Sequence, residues 1–377
     1  MTTTAPRCPR DFALERFLAR WEFTAPHMLS ASDAEPMTIG ALLAKAGAGP
    51  EALLETSLGY TDAEGSPWLR ERIAGFYPGL GADDILVTNA PEEAIFIAMT
   101  ALLGPGDRVI VQTPCYQALA EIARWRGAEV VAWPLVETES GWSADLAALG
   151  RLLATPTTLL IVNMPHNPTG WLPTHAEYAA ILALAARAGV RVFSDEMYRG
   201  LEYDAADALV PAASCDPRAI SLWGMSKAFG LGGLRIGWLA LRDRATRRAI
   251  LGMKDYTSIC ASAPSERLAH LALRVHAAIT AGHVATIQTN LALAKAFAAR
   301  TGLLAWRAPR AGSVAFPRWT PGHATAFAER AAERAGVVIV PASLFDRGED
   351  HIRLGLGRTT FGASLAALEG ALPAIAT

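Results

Sequence analysis

Between residues 85 and 241 short runs of apolar and β-branched residues alternate with helix-like stretches, and this alternation constrains the fold more than any other feature. The runs 85–88, 108–112, 129–133, 158–163, 190–194, 219–222 and 235–241 read as strands. Several are apolar throughout, which suits strands buried on both faces of a mainly parallel sheet. The implied class is α/β: a mainly parallel seven-stranded sheet layered with helices. Ligands of such sheets collect beyond the carboxyl ends of the strands. Asn163, Asp195 and Lys227 all fall there.

Outside this block the chain opens with a helix expected over 11–22, where Phe12, Leu14, Phe17, Leu18 and Trp21 form a broad apolar face. The polar stretch 29–36 then leads into a helix ending near Gly47, and Ser32, Asp33 or Glu35 fit the role of helix cap ahead of Pro36. A glycine-punctuated loop follows, with Tyr60 ahead of it. Downstream, apolar periodicity predicts helices over 262–279 and 284–300, the second with room to bridge two domains. Short strands are expected at 312–317, 337–341 and 351–356. The organisation expected is an extended or disordered stretch at 1–10, a small α+β domain from 11–48 and 286–377, and a large domain over 49–285.

The 377 residues are 51% apolar, enough for a large core. A net charge of -2 with scattered arginines offers no footprint for nucleic acid. Cys8, Cys115, Cys215 and Cys260 show neither C-x-x-C spacing nor a disulfide density, which points to a reducing, cytoplasmic compartment. Residues 1–10 lack the apolar core of a signal peptide, and charges such as Arg187 and Arg191 interrupt the apolar stretches, so no membrane segment is expected.

The chemistry centres on Trp223-Gly224-Met225-Ser226-Lys227-Ala228-Phe229-Gly230, which sets one lysine among small residues at the end of an apolar run. Desolvation there disfavours the ammonium and leaves a nucleophilic amine, as Schiff-base chemistry requires. Taken alone, the lysine serves a turn equally well. The turn 163–170 carries two prolines and presents the Asn167 amide. Asp195 ends a strand, with Tyr198 three residues on; alone it also fits a helix cap. With Lys227 and Arg235 the set supplies each group that pyridoxal phosphate needs: an imine lysine, a carboxylate for the ring nitrogen, donors for the phenolic oxygen and an arginine for phosphate.

The order Asn-Pro-Thr-Gly, Ser-Asp-Glu-x-Tyr, Ser-Lys and Arg-x-Gly resembles the class I/II aminotransferases of pyridoxal-phosphate fold type I, from the Tyr60 loop to Arg353. The resemblance implies pyridoxal 5'-phosphate as cofactor, and amino transfer from an L-amino acid to a 2-oxo acid. Lys227 is then the imine lysine and the base at Cα, Asp195 the partner of the ring nitrogen, and Asn167 and Tyr198 the ligands of the phenolic oxygen. Ser226 and Arg235 match the phosphate ligands, Tyr116 the aromatic stacked on the ring, and Arg353 the clamp on the substrate α-carboxylate. Tyr60 matches the residue that reaches the neighbouring subunit's phosphate, which implies a homodimer with shared active sites.

The departures are specific. Where the family has a serine three residues before the lysine, this chain has Gly224, and its phosphate loop reads Thr88-Asn89-Ala90-Pro91-Glu92-Glu93-Ala94. Amides at that helix start still suit phosphate, with Glu92 and Glu93 beside them. The usual glycine-containing substrate loop reads Ser30-Ala31-Ser32-Asp33-Ala34-Glu35, which is similar, more weakly, to capreomycidine synthase, a relative that uses the cofactor for elimination and cyclisation. Facing the substrate, Asp33, Glu35 or Glu92 would favour a cationic or polar side chain. The alternative activity is therefore a β/γ-eliminating lyase or cyclase. A third reading, the cofactor-sensing half of a transcription regulator, expects a DNA-binding domain for which the residues ahead of the first helix leave no room.

Overall fold

The computed structural model describes residues 8–375. The expected strands all form, and with one more they make an eight-stranded sheet. In chain order they are β1 (Ile85–Thr88), β2 (Arg108–Thr113), β3 (Glu129–Thr138), β4 (Gly141–Ala144), β5 (Leu159–Asn163), β6 (Arg191–Asp195), β7 (Ile220–Gly224) and β8 (Gly237–Ala240). Across the sheet the order is β1-β8-β7-β6-β5-β2-β3-β4. The run from β7 to β3 is parallel, β8 is antiparallel to both β7 and β1, and β4 is antiparallel to β3.

Every residue of β1, β5, β7 and β8 is buried, as their largely apolar runs require. Each Val, Leu or Ile so placed contributes about 1.5–3 kcal/mol relative to exposure. Towards the edge the pattern changes: in β3 Trp133 and Leu135 are buried while Ala132, Pro134 and Val136 are exposed, the period-two signature of a half-solvated strand. The additional strand β4 folds back on the outer half of β3, with Glu137 opposite Trp142. Four residues of mixed polarity gave it no strand pattern of its own.

Three expectations need correction. The break between the two expected helices falls earlier: the first spans Ala263–Arg274, and the second runs unbroken over His276–Thr301. Gly282 lies within it facing open space, where a glycine costs about 1 kcal/mol of helix propensity without ending the helix. Thr38, rather than Ser32, Asp33 or Glu35, caps the helix Ile39–Lys45, its Oγ1 accepting the Ala41 N–H at 3.1 Å. Of the stretch 1–10 expected to be extended or disordered, residues 1–7 lie outside the described residues. Arg10 is anchored, its guanidinium 2.9 Å from both Glu121 and Asp346.

A three-stranded antiparallel sheet sets Ile352–Gly355 between Val314–Ala315 and Val340–Pro341. The N-terminal segment joins these C-terminal strands. His27–Met28 pairs in parallel with Val337–Val338, and the Gly355 N–H donates to the Leu29 carbonyl at 2.8 Å. Residues 30–36 then cross to the carboxyl end of the large sheet, where the Ala34 N–H meets the Lys227 carbonyl at 3.2 Å. Among the described residues no helix is long and apolar enough to cross a membrane, and no cluster of His, Cys, Asp and Glu is arranged to hold a metal ion.

Candidate active site

β5 and β6 end side by side with Asn163 opposite Asp195. The Asp195 carbonyl accepts the Asn163 amide and the Met164 N–H, each at 2.9 Å. Asn163 Oδ1 in turn accepts the Asn167 N–H at 2.6 Å, which ties the proline-rich turn to the strand ends. Within that turn His166 meets Thr169 Oγ1 at 2.8 Å, and burial pushes its pKa down to about 3, leaving it neutral. The Asp195 carboxyl receives the Met197 N–H at 3.1 Å. Burial pushes its pKa up to about 7, with the Met197 N–H and Lys227 opposing: a carboxylate there awaits a cationic partner.

Lys227 follows the end of β7, and its Nζ donates to Ser32 Oγ at 2.8 Å. Burial lowers its pKa, with Asp33 pulling the other way. Beside it Arg353 projects from its strand, 2% exposed. One guanidinium nitrogen of Arg353 donates to the Ser30 carbonyl at 2.9 Å and another to Asn167 Oδ1 at 3.3 Å. Its Nε, buried, has no hydrogen-bond partner, and the Tyr198 hydroxyl, also buried, has no well-aligned one, with the Ser32 side chain facing it. Leaving such groups unsatisfied costs about 1–3 kcal/mol each, so both mark places where a ligand completes the bonding.

The helix Pro91–Leu102 starts at the other end of the site. Its first residue is gripped between two strand-end glycines: a Cβ at Gly224 would lie 2.7 Å from the Pro91 ring, and one at Gly237 would lie 2.5 Å from the Pro91 nitrogen. That is the physical reason for Gly224, since a serine side chain there would collide with the proline. Proline also removes one N–H from the helix start, so Glu92 supplies the first backbone donor there. Burial pushes the Glu92 carboxyl up to about 7, with Tyr116 and Lys227 opposing and Glu15 reinforcing. Arg235 is exposed in the left-handed region at φ 52°, with Nη1 3.0 Å from the Gly232 carbonyl.

One cavity of about 790 Å³ brings together Asn167, Asp195, Tyr198, Tyr116, Ser226, Lys227, Arg235, Arg353, Asp33 and Glu92. Three sequence candidates stand outside it. Tyr60 is 92% exposed, at the head of a loop held by the bond from Thr61 Oγ1 to the Ala261 carbonyl at 2.8 Å. Glu35 is spent on the Thr359 N–H at 2.6 Å and its hydroxyl at 2.9 Å. Glu93 is spent on the Asn89 N–H at 2.6 Å and the Thr257 hydroxyl at 2.5 Å, which makes it a strut of the loop. Asp33 reaches the cavity, but Arg358 forks onto both its oxygens at 3.0 and 2.9 Å, so its charge is already matched.

Sequence reasoning missed Ser32, Arg358, Glu15 and Glu22, all of which line the cavity. The last two belong to the N-terminal helical segment, whose core face is Leu14 and Phe17. Glu15 Oε1 lies 3.5 Å from the Tyr116 hydroxyl, and the Phe12 ring sits 5.1 Å from the Tyr116 ring. Burial, Glu15 and Asp33 together raise the Glu22 pKa. Their signal in the sequence was only that of a solvated helix face.

The model of aminotransferases of class I and II matches residues 37–374. The chain belongs to that family. Along its length this family member is similar to the capreomycidine synthase of Streptomyces vinaceus, at 31% identity over 91% of this chain and 88% of that protein. In three dimensions it is similar to a pyridoxal-phosphate-dependent aminotransferase from Streptococcus suis, with a TM-score of 0.90 and 28% identity over 99% of each chain. It is equally similar to the pyridoxal-phosphate-dependent cyclase OrfR, with a TM-score of 0.90 and 27% identity over 99% of this chain and 100% of that one. The fold is type I and the cofactor of this family member is pyridoxal phosphate. The donor set suits that group: a buried carboxyl in want of a cation, an amine with lowered pKa, and a buried phenol without a well-aligned partner.

Proposed function

We propose that the chain acts on a free α-amino acid with a polar or cationic side chain, removing its Cα proton and then a group from the side chain, an elimination that can close to a ring. The observation that carries the amino-acid reading is Arg353, a buried guanidinium with no carboxylate among its hydrogen-bond partners and an unpaired Nε beside Asn167. A substrate α-carboxylate satisfies it. Glu15, Glu22 and Glu92 on the cavity wall favour positive charge further along the substrate. The likeness to capreomycidine synthase and to the cyclase, along nearly the whole chain, favours elimination with ring closure. Amino transfer to a 2-oxo acid is the second reading, favoured by the equal likeness to the S. suis aminotransferase.

In either reaction the residues have the same first tasks. Bound pyridoxal phosphate supplies an electron sink that stabilises charge at Cα. Lys227 would hold the cofactor covalently and, once free, would take the Cα proton on Nζ, its burial-lowered pKa favouring the neutral amine. Asp195 holds the ring nitrogen, where a pyridinium partner offsets the desolvation of its carboxylate. Asn167 and Tyr198 would donate to the phenolic oxygen. Ser226, Arg235 and the Glu92 N–H would hold the phosphate, and Tyr116 would cover the ring. Exposed Tyr60 completes the site of a partner subunit, so the assembly proposed is a homodimer, each chain divided as 11–48 with 286–377 against 49–285.

The test is the absorption spectrum of the chain with pyridoxal phosphate, wild type and Lys227→Ala, followed by single amino acids without oxo acid. A visible band in the wild type only, persisting while ammonia or a cyclised product accumulates, is the expected result. Stoichiometric loss of the band selects amino transfer, and no band in the wild type overturns the roles given to Lys227 and Asp195.

A further inference from the structure

Ser32 places a hydroxyl against the reactive amine, at a distance of 2.8 Å from Lys227 Nζ. The nitrogen donates and the oxygen accepts, so the hydroxyl's own proton is free to turn from the Tyr198 phenol that faces it to a group on the substrate. Its backbone is fixed. Ser313 Oγ donates to the Ser32 carbonyl at 2.6 Å, and the next residue, Asp33, is held by the Arg358 fork. Three glycines clear its path: a Cβ at Gly355 would lie 1.9 Å from the Ala31 carbonyl oxygen, one at Gly357 2.3 Å from that of Asp33, and one at Gly230 2.3 Å from that of Glu35. Thr38 caps the following helix, so the Ser32 hydroxyl is not needed there. It lines the cavity.

We propose that Ser32 is an acid–base partner of Lys227 that protonates the group leaving the substrate's side chain, an inference that rests on the elimination reading above. Lys227 takes the Cα proton, and the electron pair of the Cα–H bond becomes the second bond to Cβ. The bond from Cβ to its oxygen breaks, and its pair goes to that oxygen. Ser32 gives its proton to the departing oxygen and receives one from Lys227. Water leaves, and both residues return to their starting protonation states.

The experiment compares the cofactor-loaded wild type, Ser32→Ala and Ser32→Thr on L-serine and β-chloro-L-alanine, which differ in whether the leaving group needs a proton. Ser32→Ala is expected to slow hydroxide release about 100-fold more than chloride release, and Ser32→Thr to restore it. Equal slowing of both, or of neither, overturns the proposal. A second measurement needs no cofactor: the pH dependence of Lys227 acetylation, read by peptide mass. Loss of an acceptor for the ammonium lowers the amine pKa by about one unit in Ser32→Ala, and an unchanged pKa overturns the contact. A wild type that eliminates from neither substrate overturns the acid role together with the elimination reading, and the acetylation profile then separates that failure from a failure of the Ser32–Lys227 contact.

Discussion

Asn167, Asp195 and Lys227, on the floor of the cavity, hang from neighbouring strands of one sheet, whereas Ser32, Asp33 and Arg353, on its roof, are held by contacts between residues 281, 325 and 323 positions apart. The floor takes its geometry from strand register, with Asn163 opposite Asp195. A one-residue shift there would carry each side chain, Asn163 and Asp195 included, to the other face of the sheet. The roof takes its geometry from a few polar links between the segment 30–36 and the small sheet, among them the Arg353 guanidinium on the Ser30 carbonyl. Groups that every pyridoxal-phosphate reaction needs therefore sit on the part set by strand register, and groups that choose among substrates and reactions sit on the part set by polar links.

Arg353→Lys separates the two most sharply. Loss of the planar fork is expected to lower kcat/KM about 100-fold, or about 3 kcal/mol, while the cofactor's visible band stays intact. If the band disappears as well, floor and roof are not independent. Arg358→Ala releases Asp33 and the segment beside Lys227. Steady-state kinetics should show KM rising about tenfold with kcat less affected, because a half-buried ion pair positions more than it stabilises. An unchanged KM would mean that the roof does not depend on this pair.

The smallest expected effect lies in the floor and concerns pH. Asp195 and Glu92 both have folded-state pKa values near 7, against about 4 in the unfolded chain. The folded protein thus holds these protons more tightly, and their contribution to stability is fully present below about pH 4 and lost as pH rises through about 7. Thermal melting of the cofactor-free protein should show Tm falling by a few degrees between about pH 5 and 8, with a shallower fall in Asp195→Asn. A cation placed by the cofactor against Asp195 should flatten the slope in the wild type, and an identical slope with and without cofactor would separate Asp195 from the ring nitrogen.

The same division explains what was legible in the sequence. Strands such as Ile85–Thr88 and Leu159–Asn163 announced themselves because a strand buried on both faces reads as a near-continuous apolar run. Their carboxyl ends then located Asn163, Asp195 and Lys227. The roof gave no such signal: the hydroxyl of Ser32 meets Lys227 across 195 positions, and Glu15 and Glu22 sit in a segment whose polar side reads as solvated. Glu35 and Glu93 show the converse, since carboxylates near the right motifs turned to Thr359 and Thr257. Local pattern fixes which groups are present, while the direction in which a charged side chain points depends on distant neighbours.

The proline ring seated over Gly224 also constrains how such a chain can change. A serine introduced at 224 while Pro91 remains would drive its Cβ to 2.7 Å from the ring, and replacing Pro91 alone would open a gap above a glycine with nothing to fill it. The Ile236 carbonyl oxygen, 2.9 Å from the same Cβ, would crowd it even with Pro91 gone. A side chain at 224 thus requires both the proline and the neighbouring strand to shift, so this end of the site resists change even where its chemistry would tolerate another hydroxyl.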